Sequence, residues 1–396
     1  MKIAFLTSGG IAPCLSASIG RLLQNYLNNF KDVEIIGYIN GYKGLLLGNS
    51  ILFPRNLIRS IDSFYQFGGS PIGNSRVKLT NIEDCIDQGY VKKGEIPIEI
   101  AAKQLAKDKV TILHTIGGDD TNTTAANLSS YLNENNYNLT VVGLPKTIDN
   151  DVYPIAQTLG AWTAAEQGAK FFRNLVNENT TSHRQLIIHE IMGRHCGWLA
   201  AATSLEYRKL LENTNFIPEI GVKKEKWNIH SLLIPEEEFL FEKECERLKI
   251  IMDKYDCVNI FLSEGAGIDF IIDEAEKSGE NILRDAFGHV RLDELNPSKW
   301  FGRKFGKKLK ADKILIQKSG YFARSAKANK ADLDLIFELA DHAVKSAVQG
   351  ISGVVGWDEQ DNNQLSCINF NRIKGGKPFN TSLDWYIEMM KDIQSI

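Results

Sequence analysis

Two short polar segments hold the residues best suited to chemistry: Gly117-Gly118-Asp119-Asp120-Thr121 and Pro145-Lys146-Thr147-Ile148-Asp149-Asn150-Asp151. Together they carry four carboxylates and a lysine, and each directly follows a short apolar run. Ligands of open parallel sheets bind beyond the carboxyl ends of the strands, so acids placed there point to a metal-assisted reaction. Asp119 and Asp120 can hold a divalent cation or its waters, Gly9 and Gly10 can bring backbone N–H groups to phosphate, and Arg76, Lys146 and Arg194 can meet anions. These are the parts of a phosphoryl-transfer site, whose work is positioning, charge neutralisation and removal of a proton from the attacking hydroxyl. Asp149, a carboxylate ionised at neutral pH with Lys146 close by, suits the base. Thr147 can hydrogen-bond the moving phosphoryl group, and Asp151 can hold the base or the acceptor. Helix capping is the other explanation of such a loop, and Thr121 is placed to cap the helix that follows.

The elements that must position these residues are legible as an alternation. Runs rich in Ile, Val and Leu at 2–6, 33–39, 110–116, 139–144, 185–191, 257–262, 313–317 and 351–355 suit strands buried on both faces. Helix-like segments lie between many of them: Leu15 to Asn29, Ile98 to Lys107, Thr121 to Asn133 and Thr158 to Asn177. Strand-helix alternation predicts a doubly wound α/β architecture. Several runs end in Gly-rich turns, at Ser8-Gly9-Gly10, Gly41 to Gly44, Gly117-Gly118, Met192-Gly193-Arg194 and Glu264 to Gly267. Each glycine either turns the chain or lets backbone approach a ligand, and the clustering at strand ends favours a shared cleft. The charged stretch 210–246 reads as an exposed insertion with helical parts, its Lys and Glu runs as solvated faces.

Composition narrows the partners. With 46 basic against 49 acidic residues the net charge is −3, which leaves no broad basic field for nucleic acid. Six cysteines without a C-x-x-C pair argue against a disulfide framework or structural zinc and predict reduced, mostly buried thiols. The apolar run at the N-terminus turns polar at Thr7, too short for a signal peptide or a membrane span, so the expected location is cytoplasmic. Neither a P-loop nor a dinucleotide fingerprint stands at a strand end, and His189 and His195 do not have zinc-protease spacing, so both histidines read as structural.

The motifs together resemble the phosphofructokinases, and within them the pyrophosphate-dependent branch. The resemblance runs through Leu6-Thr7-Ser8-Gly9-Gly10, Gly41-Tyr42-Lys43-Gly44, the 117 and 145 segments, Met192-Gly193-Arg194, Ser263-Glu264-Gly265 and Lys318 to Arg324. It implies a phosphofructokinase-like fold of two Rossmann-like three-layer αβα domains with mostly parallel sheets. A phosphoryl-donor domain would occupy 1–155, with a return segment near 322–350. A sugar-phosphate domain would occupy 156–321 with the helical insertion near 210–246, and 351–396 would be a C-terminal extension packing on the domains. It further implies pyrophosphate and fructose 6-phosphate as substrates, Mg2+ as cofactor, and a homodimer. By the same resemblance Asp149 is the base for the sugar 1-hydroxyl, Asp119 the metal-associated carboxylate and Asp151 a support of that loop. Met192, Gly193, Arg194, Glu264, Tyr321 and Arg324 match the sugar-phosphate pocket, and Gly10 and Arg76 face the donor.

The donor is implied by two departures. ATP-using relatives usually have glycine at the positions of Asp120 and Lys146; here an aspartate would occupy and repel the α-phosphate end of ATP, and a lysine adds a cation suited to pyrophosphate. Two other readings share the motifs: an ATP-dependent enzyme, and a non-catalytic sugar-phosphate-binding regulatory subunit. Intact Asp119, Thr147, Asp149 and Asp151 argue against the second. The arginine that relatives contribute to a neighbouring subunit's site would fall at Gln185, with Arg184 one residue earlier. No basic cluster for an allosteric nucleotide is evident around Arg21 and Asn25.

Overall fold

The structure, a computed structural model, describes residues 1–278 and 296–395. Its strands are β1 (Lys2–Thr7), β2 (Glu34–Tyr38), β3 (Ser50–Leu52), β4 (Ile112–Gly117), β5 (Thr140–Pro145), β6 (Gln185–Ile191), β7 (Ser231–Leu233), β8 (Cys257–Ser263), β9 (Lys313–Lys318), β10 (Gly353–Asp358) and β11 (Gln364–Ile368). Each predicted apolar run lies on one of them. The continuous hydrophobic runs are the central strands: every residue of β4, β6 and β8 is buried. The chain divides into two compact units, 1–163 with 324–377, and 164–323 with 378–396.

The first unit holds a seven-stranded sheet in the order β11-β10-β5-β4-β1-β2-β3. It is parallel at its centre and antiparallel at both edges, where β3 returns on β2 and β11 on β10. Leu15–Asn29 is a helix over the span read from sequence, burying Leu15, Ile19, Leu22, Leu23 and Tyr26. The helix Lys330–Val348 comes from the return segment, and its Asp341 takes a fork of hydrogen bonds from Arg21, 2.6 Å at each oxygen. Buried Asp332 of the same helix accepts the backbone N–H groups of Gly160 at 3.0 Å and Thr163 at 2.7 Å. A carboxylate there satisfies donors that the start of the helix Ala161–Leu175 would otherwise leave orphaned.

The second unit holds a four-stranded parallel sheet in the order β7-β8-β6-β9. Its edge strand β9 is partly exposed and carries a lysine at each end, the usual protection of an edge against further pairing. His189, read as structural, sits 5.5 Å from the Phe172 ring and 4.9 Å from the Phe261 ring, and burial pushes its pKa down to about 3, so it is neutral. All six cysteines are free and five are buried.

Two readings need correction. The stretch 210–246 is not wholly an exposed insertion: β7 within it is buried and pairs in register with β8, while Pro218–Ile220 and Lys224–Lys226 are short helical turns. The segment 351–396 is not a single extension. Its first part supplies β10, which pairs with β5, and β11; its last part, the helix Asp384–Ser395, belongs to the second unit. Strands β7 and β11 are short or half-polar, so their apolar content gives no periodic signal to read.

Candidate active site

The ends of β1, β4 and β5 deliver the polar loops of the first unit to one pocket. It is lined by Ser8, Gly9, Gly10, Arg76, Lys78, Gly118 to Thr121, Lys146 to Asp149, Asp151 and Arg324, with Ala12 and Val77. Backbone hydrogen bonds lock the loops together: Ser8 N–H donates to Ile116 O at 3.0 Å, Gly9 N–H to Ser75 O at 2.9 Å, and Lys146 N–H to Gly117 O at 2.8 Å. The pocket therefore rests on rigid strand ends.

Asp119 and Asp120 do not lie in a loop before the helix; they are its first turn, since the helix Asp119–Glu134 begins directly after Gly118. Their negative charge is favourable there because unpaired N–H groups give the helix start a partial positive charge. Thr121 is consequently inside the helix and no side chain caps it. Its hydroxyl instead fills the space a side chain at Gly117 would need, 2.2 Å from the position of a Cβ. Asp120 is paired with Lys78 at 2.8 Å, with both side chains about half exposed. Lys78 was missed in the sequence, although it stands two residues beyond Arg76, a spacing that puts both on one side of an extended segment.

Lys146 is buried, and its Nζ donates to Gly10 O at 2.9 Å. Burial pushes its pKa down to about 8, with the Arg324 and Arg76 guanidiniums acting in the same direction and Asp149 opposing. A side chain at Gly10 would displace the end of an arginine: a Cβ would lie 2.7 Å from an Arg324 guanidinium nitrogen and 3.7 Å from one of Arg76. The two arginines thus face the backbone where an anion would approach. Arg324, read with the sugar-phosphate residues, lines this pocket and donates to Ile11 O at 3.3 Å.

The loop after Lys146 is tied by its own side chains. Asp149 N–H donates to Thr147 Oγ1 and Thr147 Oγ1 to Asp151 Oδ1, each at 3.1 Å. Thr158 Oγ1 donates to Thr147 O at 2.8 Å, and Asn150 Oδ1 accepts the Thr158 N–H at 2.8 Å. Asp149 and Asp151 are half-buried in this frame. The pocket lining holds four cationic and four anionic side chains, so a polyanionic donor would leave it net negative without a cation of its own.

In the second unit, the ends of β6, β8 and β9 bring three further loops together. Ser263 Oγ donates to Gly193 O at 2.6 Å, Glu264 N–H to Ile191 O at 2.9 Å, and His189 Nε2 lies 2.8 Å from Ser319 Oγ. A Cβ on Gly265 would lie 1.8 Å from Arg194 O, one on Gly193 2.4 Å from Cys196 O, and one on Gly320 3.2 Å from Met192 Sδ. Met192, Gly193, Arg194, Glu264 and Tyr321 are therefore neighbours on one rim, with Arg194 and Tyr321 exposed and Glu264 half-buried. Arg184 is engaged within its own unit: it pairs with Asp253 at 2.8 Å and donates to Lys310 O at 2.7 Å and to Leu309 O.

A sheet parallel at its centre, with glycine turns, clustered carboxylates and a buried lysine at its strand ends, fits the α/β phosphotransferases. The chain belongs to the phosphofructokinase family, whose profile, described as Phosphofructokinase, matches residues 2–346. It is 54% identical over 392 residues to the pyrophosphate--fructose 6-phosphate 1-phosphotransferase of Methylomonas methanica, covering 99% of this chain and 96% of that one. Identity is 51% to the protein of the same name from Propionibacterium freudenreichii subsp. shermanii, covering 99% and 97%. The fold is that of the pyrophosphate-dependent phosphofructokinase of Marinobacter aquaeolei, with TM-score 0.70 at 19% identity, covering 99% of this chain and 91% of that chain. Among the described residues, no helix is long and apolar enough to cross a membrane.

Proposed function

We propose that the protein transfers a phosphoryl group reversibly from pyrophosphate to the 1-hydroxyl of fructose 6-phosphate, giving fructose 1,6-bisphosphate and orthophosphate. The observation that carries this is the pocket itself: Lys146 bonded to Gly10 O, with Asp119, Asp120 and Asp149 on the same walls. The two relatives above bear the name of this activity over nearly their whole length.

Asp149 takes the proton of the 1-hydroxyl as that oxygen bonds to the terminal phosphorus of pyrophosphate. The bond from phosphorus to the bridging oxygen breaks, and orthophosphate leaves; in reverse, Asp149 returns the proton. Thr147, hydrogen-bonded to Asp149 N–H and to Asp151, keeps the base in place. Arg76, Arg324 and Lys146 meet the donor's charge, as guanidiniums suit phosphate oxygens in pairs. Met192, Gly193, Arg194, Glu264 and Tyr321 bind the sugar phosphate.

Among the described residues no group of three or more His, Cys, Asp or Glu could cage a metal ion. The exposed carboxylate of Asp119 fits magnesium, which binds through one or two carboxylates and completes its shell with water and phosphate oxygens. Bound there, Mg2+ would neutralise the charge of pyrophosphate and of the departing orthophosphate. Asp120 and Lys146 select the donor: a side chain at each position fills space that a nucleotide's additional phosphate would need, and because the ion pair with Lys78 offsets the charge of Asp120, its selection acts by bulk more than by repulsion.

Assaying the purified protein with pyrophosphate, ATP and buffer decides the donor. Turnover is expected with pyrophosphate; strong turnover with ATP and none with pyrophosphate overturns the assignment. Replacing Asp120 and Lys146 together by glycine should shift the preference toward ATP.

A further inference from the structure

Past its last strand the chain returns to the catalytic pocket of the first unit. The segment 372–377 is anchored to β10 by Arg372, whose guanidinium forks onto buried Asp358 at 2.7 and 2.8 Å. From there it runs along the catalytic loop. Tyr153 and Lys374 exchange backbone hydrogen bonds of 2.8 and 2.9 Å, Lys377 N–H donates to Asp151 O at 2.9 Å, and Lys377 Nζ donates to Ile155 O at 2.6 Å. In the middle of this strap, Gly375 lies against Asp119. A Cβ there would be 1.9 Å from Asp119 Oδ2, 2.5 Å from Cγ and 2.8 Å from Cβ.

We propose that Gly375 is a positioning residue for Asp119: its bare backbone is the wall that fixes the direction of the carboxylate proposed to meet magnesium pyrophosphate. Among the described residues no hydrogen bond or ion pair holds the Asp119 carboxylate, which is exposed on the first turn of its helix. An unrestrained carboxylate at such a position exchanges among rotamers. Contact with the strap removes part of that freedom before the donor arrives, and preorganisation of this kind strengthens electrostatic catalysis. Because the same strap bonds to Asp151, it sets the spacing between the metal-side carboxylate and the loop of the base.

The inference rests on the proposed role of Asp119, so both residues are tested together. The dissociation constant of magnesium pyrophosphate is measured by calorimetry without sugar phosphate, alongside the magnesium dependence of turnover. Asp119→Ala should abolish or strongly weaken binding; if it does not, the role of Asp119 fails first. Gly375→Ala should weaken binding by about tenfold or more, the usual size of an effect exerted through a ligand's neighbour, and leave the KM for fructose 6-phosphate unchanged. Gly376→Ala is the control: its φ of +74° makes alanine a strain on the strap, yet a Cβ there meets nothing within 4 Å. It should retain the wild-type magnesium dependence. Wild-type magnesium pyrophosphate binding in Gly375→Ala, or an equal loss in Gly376→Ala, overturns the proposal. If Gly375→Ala is too unstable to assay, the melting temperature tests the contact instead, measured against Asp119→Gly alone, because Asp119→Gly in the same chain removes all three atoms that clash. Restored stability supports the contact, and an unrestored one overturns it.

Discussion

The two sets of strand-end loops are built on opposite plans. In the first unit the chemistry-bearing groups are themselves held: Lys146 is buried and bonded to Gly10 O, and Asp149 and Asp151 sit in a lattice of threonine and asparagine hydrogen bonds. In the second unit the closest fit is in the backbone, and the side chains it carries are more open to solvent. Gly193 and Gly265 fit so tightly that no Cβ could enter, but Arg194 and Tyr321 project into solvent. The difference matches the two tasks. A proton transfer needs atoms fixed before substrate arrives, whereas a phosphate can order long side chains as it binds, at some entropic expense.

The sharpest way to break this contrast is at Asp149. Asp149→Ala should lower kcat by about 10²- to 10⁴-fold, the range for loss of a general base, while fructose 6-phosphate binding measured by calorimetry stays near wild type. Retained turnover would remove its assigned role. Arg194→Ala should do the reverse, raising the KM for fructose 6-phosphate by about 10- to 100-fold, as expected for losing a charged hydrogen bond, with a smaller change in kcat. A collapse in kcat as deep as that of Asp149→Ala would erase the distinction between held chemistry and exposed binding arms.

A smaller effect concerns pH. Burial pushes the Lys146 ammonium down to about 8, below its ordinary value, so the pocket loses a cation as pH rises through 8. The KM for pyrophosphate should climb above that pH, by up to about tenfold per unit for a single deprotonation, and Lys146→Met should flatten that limb. Stability moves the opposite way. Between about 8 and the unfolded value near ~10.4 the unfolded chain carries the extra proton, so this lysine makes stability rise with pH there. Below pH 8 the buried ammonium opposes folding. A pyrophosphate KM that stays flat through pH 9 in the wild type would show that Lys146 does not titrate in the working enzyme.

Much of the first unit's site was legible because its residues are contiguous with buried strands. An apolar run followed by Gly-Gly-Asp-Asp or Pro-Lys-Thr-Ile-Asp-Asn-Asp announces both the strand and the polar groups gathered beyond its end. Three features were not legible. Lys78 pairs with Asp120 across a turn of chain that has no periodicity of its own. The first turn of the helix at Asp119 has no side-chain cap to mark where it begins, so the sequence pattern shows the helix only from Thr121, two residues late. Strand β7 is only three residues long and sits close to charged residues, so its burial comes from pairing with β8 and from the helices packed on it. In each case the information lies in tertiary contact, which local pattern does not contain.

The order of the first sheet also sets a timetable. Strand β5, which ends at Lys146, is flanked by β4 on one side and by β10 on the other, and β10 is among the last strands to be synthesised. A nascent chain thus makes the loop of Asp149 early and carries it on a sheet with one raw edge while the whole of 164–323 is produced. An open edge is a template for pairing with other chains, and domain-by-domain folding during synthesis gives it time to act. A gene cut after residue 163 consequently encodes an unfinished sheet rather than a separable half of the enzyme.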